Sequence, residues 1–346
     1  MGSSINAAGT VAGSAETPTG GQQAFVSTPG GALQPLSFPS ASETYAYGVN
    51  GSGTVVGTSY INGQAHGTMW AISGATDLGA GVYAMGINNA GQVVGSNGHA
   101  FVFQNGQYQD LGIIPGGDWS AAYAINAAGT VVGDGSTASG AFRGIIWSPQ
   151  GSMVLLGTFG GASSQATAVN NAGEVAGFAS LSSGYQHAFT AVDAMLVDLG
   201  TLGGGSSYAY GINDSGQVVG YSWLSGGGDM HAFLYSNGVM QDLNALIAPG
   251  SGWELLAAYG INDSGQITGE GLFNGVPSVF VLNPADPPGA SSVPEPSTAV
   301  VLACALVLAN FGLRTRLAYR QARRPSGVLA STAAENPEPH PGRQTG

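Results

Sequence analysis

Apolar residues along most of this chain alternate with small or polar ones in short runs, and the runs are broken by Asn, Gly and Ser. Ala46-Tyr47-Gly48-Val49 and Ala209-Tyr210-Gly211-Ile212 show the small-bulky alternation of a strand with period two. An Asn-x-x-Gly phrase follows each run, with the turn chemistry of an Asn that bonds nearby backbone and a Gly that accepts positive φ. A second run, such as Gln217-Val218-Val219-Gly220, completes a predicted hairpin. A third carries His-Ala-Phe (His99-Ala100-Phe101, His187-Ala188-Phe189, His231-Ala232-Phe233), and a fourth short run reads Asp-Leu-Gly (Asp77-Leu78-Gly79, Asp110-Leu111-Gly112, Asp198-Leu199-Gly200). Each unit therefore predicts four short strands.

The unit recurs. Its signature is Ile or Val, Asn, two variable residues, Gly, one residue, an apolar residue, one more, and Gly. It begins at Ile5, Val49, Ile87, Ile125, Val169, Ile212 and Ile261, with Asn6, Asn50, Asn88, Asn126, Asn170, Asn213 and Asn262 as structural anchors. Internal repetition of four-stranded units every 40–50 residues or so is the signature of β-propeller blades. The expected fold is all-β: a propeller of about seven four-stranded blades over residues 1–283, preferred to a β-solenoid, whose rungs are shorter. Ala46, Gly48, Ala209 and Gly211 would let adjacent blades approach closely. Both ends are irregular. The first unit begins at Ser3-Ser4-Ile5 without its small-bulky run, and the last, through Val279-Phe280-Val281-Leu282, lacks Asp-Leu-Gly. Strands from both termini could close the ring, or the true start could lie upstream of Met1.

Composition supports strands and narrows the partners. Gly is 59 of 346 residues, Lys is absent, and charged residues are only 8%. Such a chain is poor in helix formers and rich in turn and strand formers. All seven basic residues are Arg, and Arg143 alone precedes residue 314. An acidic body of this kind repels phosphate backbones, so nucleic acid is not an expected partner. One cysteine, Cys304, excludes an internal disulfide and a Cys-rich zinc site.

The C-terminal part has a different character. A Pro/Ala/Ser linker (284–292) leads to Val293-Pro294-Glu295-Pro296-Ser297-Thr298, and then to an apolar run, 299–313, expected to be a single hydrophobic transmembrane helix. That run is shorter than the roughly 20 residues that span a bilayer comfortably, and Arg314 and Arg316 at its end can snorkel to extend it. Positive charge on that side would hold it in the cytoplasm and place the repeats outside. A Pro-rich tail, 325–346, is expected to be disordered. No secretory signal peptide is visible at the start, which is a further reason to expect an upstream beginning.

Two resemblances rest on these residues. The phrases of residues 3–283 resemble the HAF-repeat family of probable extracellular repeat proteins, with units carrying Gln23-Ala24-Phe25, His66-Gly67-Thr68 and Gly140-Ala141-Phe142 departing from the name motif. Residues 293–324 resemble a PEP-CTERM sorting signal through Val293, Pro294, Glu295, Pro296, the apolar run, and Arg314 and Arg316. The resemblances imply an exported bacterial protein. It would be membrane-anchored before processing by an exosortase-like transpeptidase, then delivered to the cell surface or extracellular matrix. The tail beyond Pro325 departs from that pattern and puts processing in doubt.

Candidate chemistry is sparse. His66, His99, His187 and His231 occupy one repeat position on separate blades, so they are read as structural, bonding a neighbouring backbone carbonyl, rather than as metal ligands. Asp77, Asp110, Asp198 and Asp242 read as strand-end caps that need no partner. The Asn-Asp-Ser-Gly turns at Asn213 and Asn262 faintly resemble calcium loops, but equivalent turns have no carboxylate. Trp119, Trp147, Trp223 and Trp253 could stack on sugars if exposed, but core or blade-edge packing is the preferred reading. No nucleophile elbow, Walker loop or His-Glu-x-x-His motif appears. The expectation is therefore no catalytic residue, cofactor or metal, and no enzyme: an exported binding or structural repeat protein, with extracellular polysaccharide as a partner. The alternative is an exported polysaccharide lyase or hydrolase, which would require acidic or His side chains converging at one mouth of the ring.

Overall fold

Seven antiparallel sheets follow one another along the chain in the computed structural model, which describes residues 2–226 and 228–284. They are the seven blades of a β-propeller. Blades I to VI have four strands each, paired in sequence order, and blade VII has three among the described residues. The innermost strands are Gly2–Ile5, Ala41–Val49, Tyr83–Ile87, Ser120–Ile125, Gly160–Val169, Gly203–Ile212 and Trp253–Ile261. They surround a central channel to which every blade contributes. These residues belong to one compact unit, and residues 285–346, with the expected helix 299–313 and the sorting motif, lie outside the described residues. No helix among the described residues is long and apolar enough to cross a membrane.

Each blade interface has its own apolar cluster. Val94, Ala100, Ile125, Val131 and Trp147 join blades III and IV, and Val219, Leu255, Ala258 and Phe280 join VI and VII. Ala and Gly on the inner strands make these contacts short. A Cβ on Gly211 would lie 3.1 Å from the Tyr259 carbonyl oxygen of the next blade, as the crowding argument anticipated.

The anchor asparagines close the ring. Each Asn side chain is buried, and its Oδ1 accepts the backbone N–H four residues on, closing its own turn at 2.8–3.0 Å. Its Nδ2 donates to the carbonyl of the next blade's anchor: Asn6 to Asn50, Asn50 to Asn88, Asn88 to Asn126, and Asn126 to Asn170. The series continues from Asn170 to Asn213 and from Asn213 to Asn262, and returns from Asn262 to Asn6 at 2.9 Å. Seven carboxamides thus form an unbroken circle of buried hydrogen bonds around the channel. The residue after the anchor adds a second tie in several blades. Asn89, Asn171, Asp214 and Asp263 accept the N–H of the preceding blade's turn, so the two carboxylates of the calcium-like turns are used within the ring.

The termini depart from expectation. The inner strand missing from the first repeat is present as Gly2–Ile5, but with four residues where blade II has nine. Among the described residues blade I is built from strands within 2–36 and blade VII from strands within 253–282, with no strand exchanged between them. Closure comes instead from the Asn262–Asn6 bond and from Val279 packing against the cluster of Ile5, Val11, Ala15 and Phe25.

Replacing Asn126 with Asp isolates the inter-blade bond, because the carboxylate still caps its own turn but has no N–H to give. The variant should lose roughly 2–4 kcal/mol of stability at neutral pH, since a buried carboxylate would then face the Asn170 carbonyl. Burial raises the pKa of that carboxyl above the unfolded value of about 3.9. Stability is then fully present below that value and lost as pH rises through the folded pKa. Urea unfolding of variant and parent at both pH values should show the difference narrowing in acid.

Candidate binding channel

The inner strands are not regular. In every blade the ladder between the first two strands skips the same repeat position, Ser3, Tyr47, Met85, Tyr123, Thr167, Tyr210 and Tyr259, and blades II, V, VI and VII have a second irregularity nearer the start of the inner strand. Each is the extra residue of a β-bulge, and all seven line the channel, which holds about 220 Å³ of free space. Bulges re-aim a side chain at the expense of one ladder position. The last Gly of the repeat phrase makes room for the bulge: a Cβ on Gly133 or Gly220 would fall onto the carbonyl oxygen of Ala121 or Tyr208 in the facing strand.

The residue after that Gly lies on the second strand, and in blades IV and VII it accepts a hydrogen bond from the channel tyrosine. Across the blades it is Ser14, Thr58, Ser96, Asp134, Phe178, Tyr221 and Glu270. The Tyr123 hydroxyl donates to Asp134 Oδ1 at 2.8 Å, and Gln165 of blade V donates to Asp134 Oδ2 at 2.9 Å. Tyr259 donates to Glu270 Oε1 at 2.6 Å, and Tyr45 to Glu43 at 2.9 Å. Aromatic rings continue the wall. Tyr208 and Tyr221 stack at 4.9 Å, Tyr210 and Tyr221 at 5.8 Å, and Tyr210 meets Tyr259 edge-on at 5.5 Å. Tyr45 and Tyr60 meet edge-on at 5.9 Å on another arc of the ring.

These surroundings hold the tyrosines neutral. Burial is the largest cause at Tyr47, Tyr60, Tyr210, Tyr221 and Tyr259, and neighbouring phenols or Glu270 add to it. Tyr221 is pushed up to about 12.

The sequence-derived candidates lie elsewhere. His66, His99, His187 and His231 stand at the start of third strands, where the fourth strand of the same blade ends. Each Nδ1 pairs with the Asp eleven residues on (Asp77, Asp110, Asp198 or Asp242) at 2.6–3.0 Å. The expected carbonyl partner is thus corrected to a carboxylate, because the fourth strand ends beside the His and delivers a stronger acceptor. The Asp residues do cap, accepting the N–H two residues on, but they are not partnerless. Desolvation pushes the Asp110 carboxyl up, while the His99 and Gly112 hydrogen bonds and the His99 charge outweigh it and hold it below its ordinary value. Such exposed pairs contribute only about 0–1 kcal/mol each. In blade IV the ladder places Arg143-Gly144-Ile145, not Gly140-Ala141-Phe142, at the His-Ala-Phe positions, since Ile145 pairs with Gly133 as Phe101 pairs with Gly95. None of the four tryptophans is an exposed platform. Trp147 is buried, Trp119 packs on Phe142 at 5.4 Å, Trp253 on Phe273 at 5.2 Å, and Trp223 is half-buried. Among the described residues no group of three or more His, Cys, Asp or Glu could hold a metal. Val293, Pro294, Glu295, Pro296, Arg314 and Arg316 lie outside the described residues.

Comparison with known proteins places the fold but no family. No family model matches the chain, and neither does any curated protein. Among solved structures, a puromycin hydrolase is similar at TM-score 0.53 and 12% identity, over 81% of this chain and 51% of that one. A puromycin-hydrolysing peptidase of Mycobacterium tuberculosis (TM-score 0.48, 12% identity, 79% and 50% covered) and a gluconolactonase of Xanthomonas campestris (0.42, 12%, 74% and 91%) are also similar. The chain thus spans about half the length of the two peptidases. At such identity the likeness concerns the propeller alone. It does overturn the expectation that the chain is no enzyme, because an enzyme, the puromycin hydrolase, shares this fold. The physical reason is that a propeller assembles side chains from separate blades, so a missing local motif excludes nothing.

In a spectrophotometric titration the five channel tyrosines should stay protonated past pH 10, where free phenols ionise. Their folded pKa values are raised, so the stability they contribute is complete below about pH 10 and falls as pH rises towards the folded values, about 12 for Tyr221. Absorbance at the phenolate band should rise in two steps, the second coinciding with loss of the β-sheet circular dichroism signal.

Proposed function

We propose that this is an exported surface or matrix protein whose propeller binds extracellular polysaccharide in its central channel. The observation that carries the reading is the ring of bulged residues. Anchor Asn, turn Gly and bulge Gly repeat from blade to blade because the ladder requires them. The seven residues aimed into the channel are less uniform: four are Tyr, and the others are Ser, Met and Thr. Positions that the frame does not dictate, gathered in a concave space rich in aromatic rings and hydroxyls, are the material of a ligand site. Tyrosine rings stack on the apolar faces of sugars, and phenols and carboxylates bond their hydroxyls.

Export rests on sequence order alone: the acidic body, then Val293-Pro294-Glu295-Pro296, the apolar run 299–313, and Arg314 and Arg316. An exosortase-like transpeptidase is the partner this order suits. A second reading, a polysaccharide hydrolase or lyase on the same scaffold, draws support from Asp134 and Glu270, carboxylates from blades IV and VII bonded to channel tyrosines.

Two measurements test the proposal. In affinity electrophoresis against neutral, acidic and amino polysaccharides, the full-length protein should be retarded by at least one. Tyr47→Ala should weaken that binding about tenfold or more, while Tyr185→Ala, on the exposed rim, leaves it unchanged. Retardation by none refutes polysaccharide binding, and release of new reducing ends would favour the enzymatic reading. In cell fractionation the natural protein should reach the surface, and replacement of Pro294, Glu295 and Pro296 by Ala should retain it in the membrane. Cytoplasmic location of both forms refutes export.

A further inference from the structure

Among the described residues, one carboxylate at the channel has an oxygen that no hydrogen bond reaches and no cation beside it. Glu270, half-buried on the second strand of blade VII, accepts one hydrogen bond on Oε1, from Tyr259, and no hydrogen bond reaches Oε2 among the described residues. Around it stand Tyr259, Tyr210 and Tyr221, whose phenols all feel its charge, with Tyr208 stacked behind Tyr221. Asp134, by contrast, has both oxygens occupied by Tyr123 and Gln165. No Lys or Arg of the body can balance Glu270. The only one before residue 314 is Arg143, which donates to the Phe142 carbonyl of its own strand in blade IV and to the Ala162 carbonyl of blade V.

A half-buried carboxylate with one oxygen open can accept a charge-assisted hydrogen bond from a bound cation. An ammonium group suits this site on three counts. It forms a charge-assisted hydrogen bond with the open oxygen, it is attracted by the electron-rich faces of tyrosines, and the net charge of −12 draws it in. A bare metal ion fits poorly, since hard cations need several oxygen ligands and Glu270 stands as a single carboxylate. The hydroxyls and aromatic rings of the remaining wall suit a sugar carrying that ammonium.

We propose that Glu270, with Tyr208, Tyr210, Tyr221 and Tyr259, forms the subsite for the free ammonium of an amino sugar, one per molecule, within the polysaccharide. The inference rests on the polysaccharide reading and names its substrate class. One site per molecule follows from asymmetry: only blade VII places a Glu at this repeat position, and only blade IV an Asp.

Titration calorimetry of the full-length protein tests it with three probes: a β-1,4-linked glucosamine oligosaccharide, its fully N-acetylated counterpart, and a β-1,4-linked glucose oligosaccharide. The free amine should bind at least tenfold more tightly than either neutral probe, with a stoichiometry of one, and weaken as salt rises. Glu270→Gln, which keeps shape and removes charge, should abolish the preference while leaving neutral binding intact. Equal affinity for all three probes, or a preference that survives Glu270→Gln in a variant with unaltered near-ultraviolet dichroism, overturns the inference and leaves polysaccharide binding standing. The comparison of probes on the unaltered protein decides the matter even if the variant does not fold. Binding of no probe overturns the inference, and the electrophoresis panel then decides the broader reading.

Discussion

The frame depends on the circle of asparagine carboxamides. A carboxamide carries both an acceptor and a donor, and here the two ends do different work. The oxygen closes a turn within a blade, and the nitrogen holds the next blade. Neither Asp nor Ser could do both at neutral pH, because a carboxylate has no donor and a hydroxyl lacks the reach. Packing of apolar faces brings blades together without direction. The carboxamides give that packing a registry, since each must find one carbonyl buried from water. Hydroxyls from Thr44, Ser120, Ser164 and Ser207 supply a second registry further out, accepting the Ala24, Ala100, Gly144 and Ala188 N–H groups of the preceding blade.

On this frame the bulge divides structural from recognition duties. Ala46 pairs with Gly57 and Gly48 pairs with Val56, so Tyr47 between them has no ladder partner. Its side chain is turned to the channel while its neighbours face the adjoining blades. Gly57 is bound to that geometry, for any side chain there would occupy the Tyr45 carbonyl.

Much of this architecture was legible in the sequence, and the limits have physical causes. Asn-x-x-Gly and the terminal Gly recur because turn and bulge are local demands, so the blades could be counted before any coordinates. The inter-blade bond was hidden, since its partner is the same position one repeat away, 38–49 residues along the chain. The bulge was hidden too, because Ala-Tyr-Gly-Val reads as simple alternation. The Gly of Val-Val-Gly was the one available sign. The His–Asp pairs span a hairpin, and only the ladder register brings His99 to Asp110. Glu270 carried no signal in the sequence, and its setting came from four tyrosines supplied by two blades.

Because the extra residue of each inner strand makes no ladder bond, copying a blade transmits the scaffold and leaves that one position unconstrained. Successive duplications could diversify the lumen a single side chain at a time, with little effect on folding. A ring built from nearly identical parts thereby acquires an interior with no rotational symmetry.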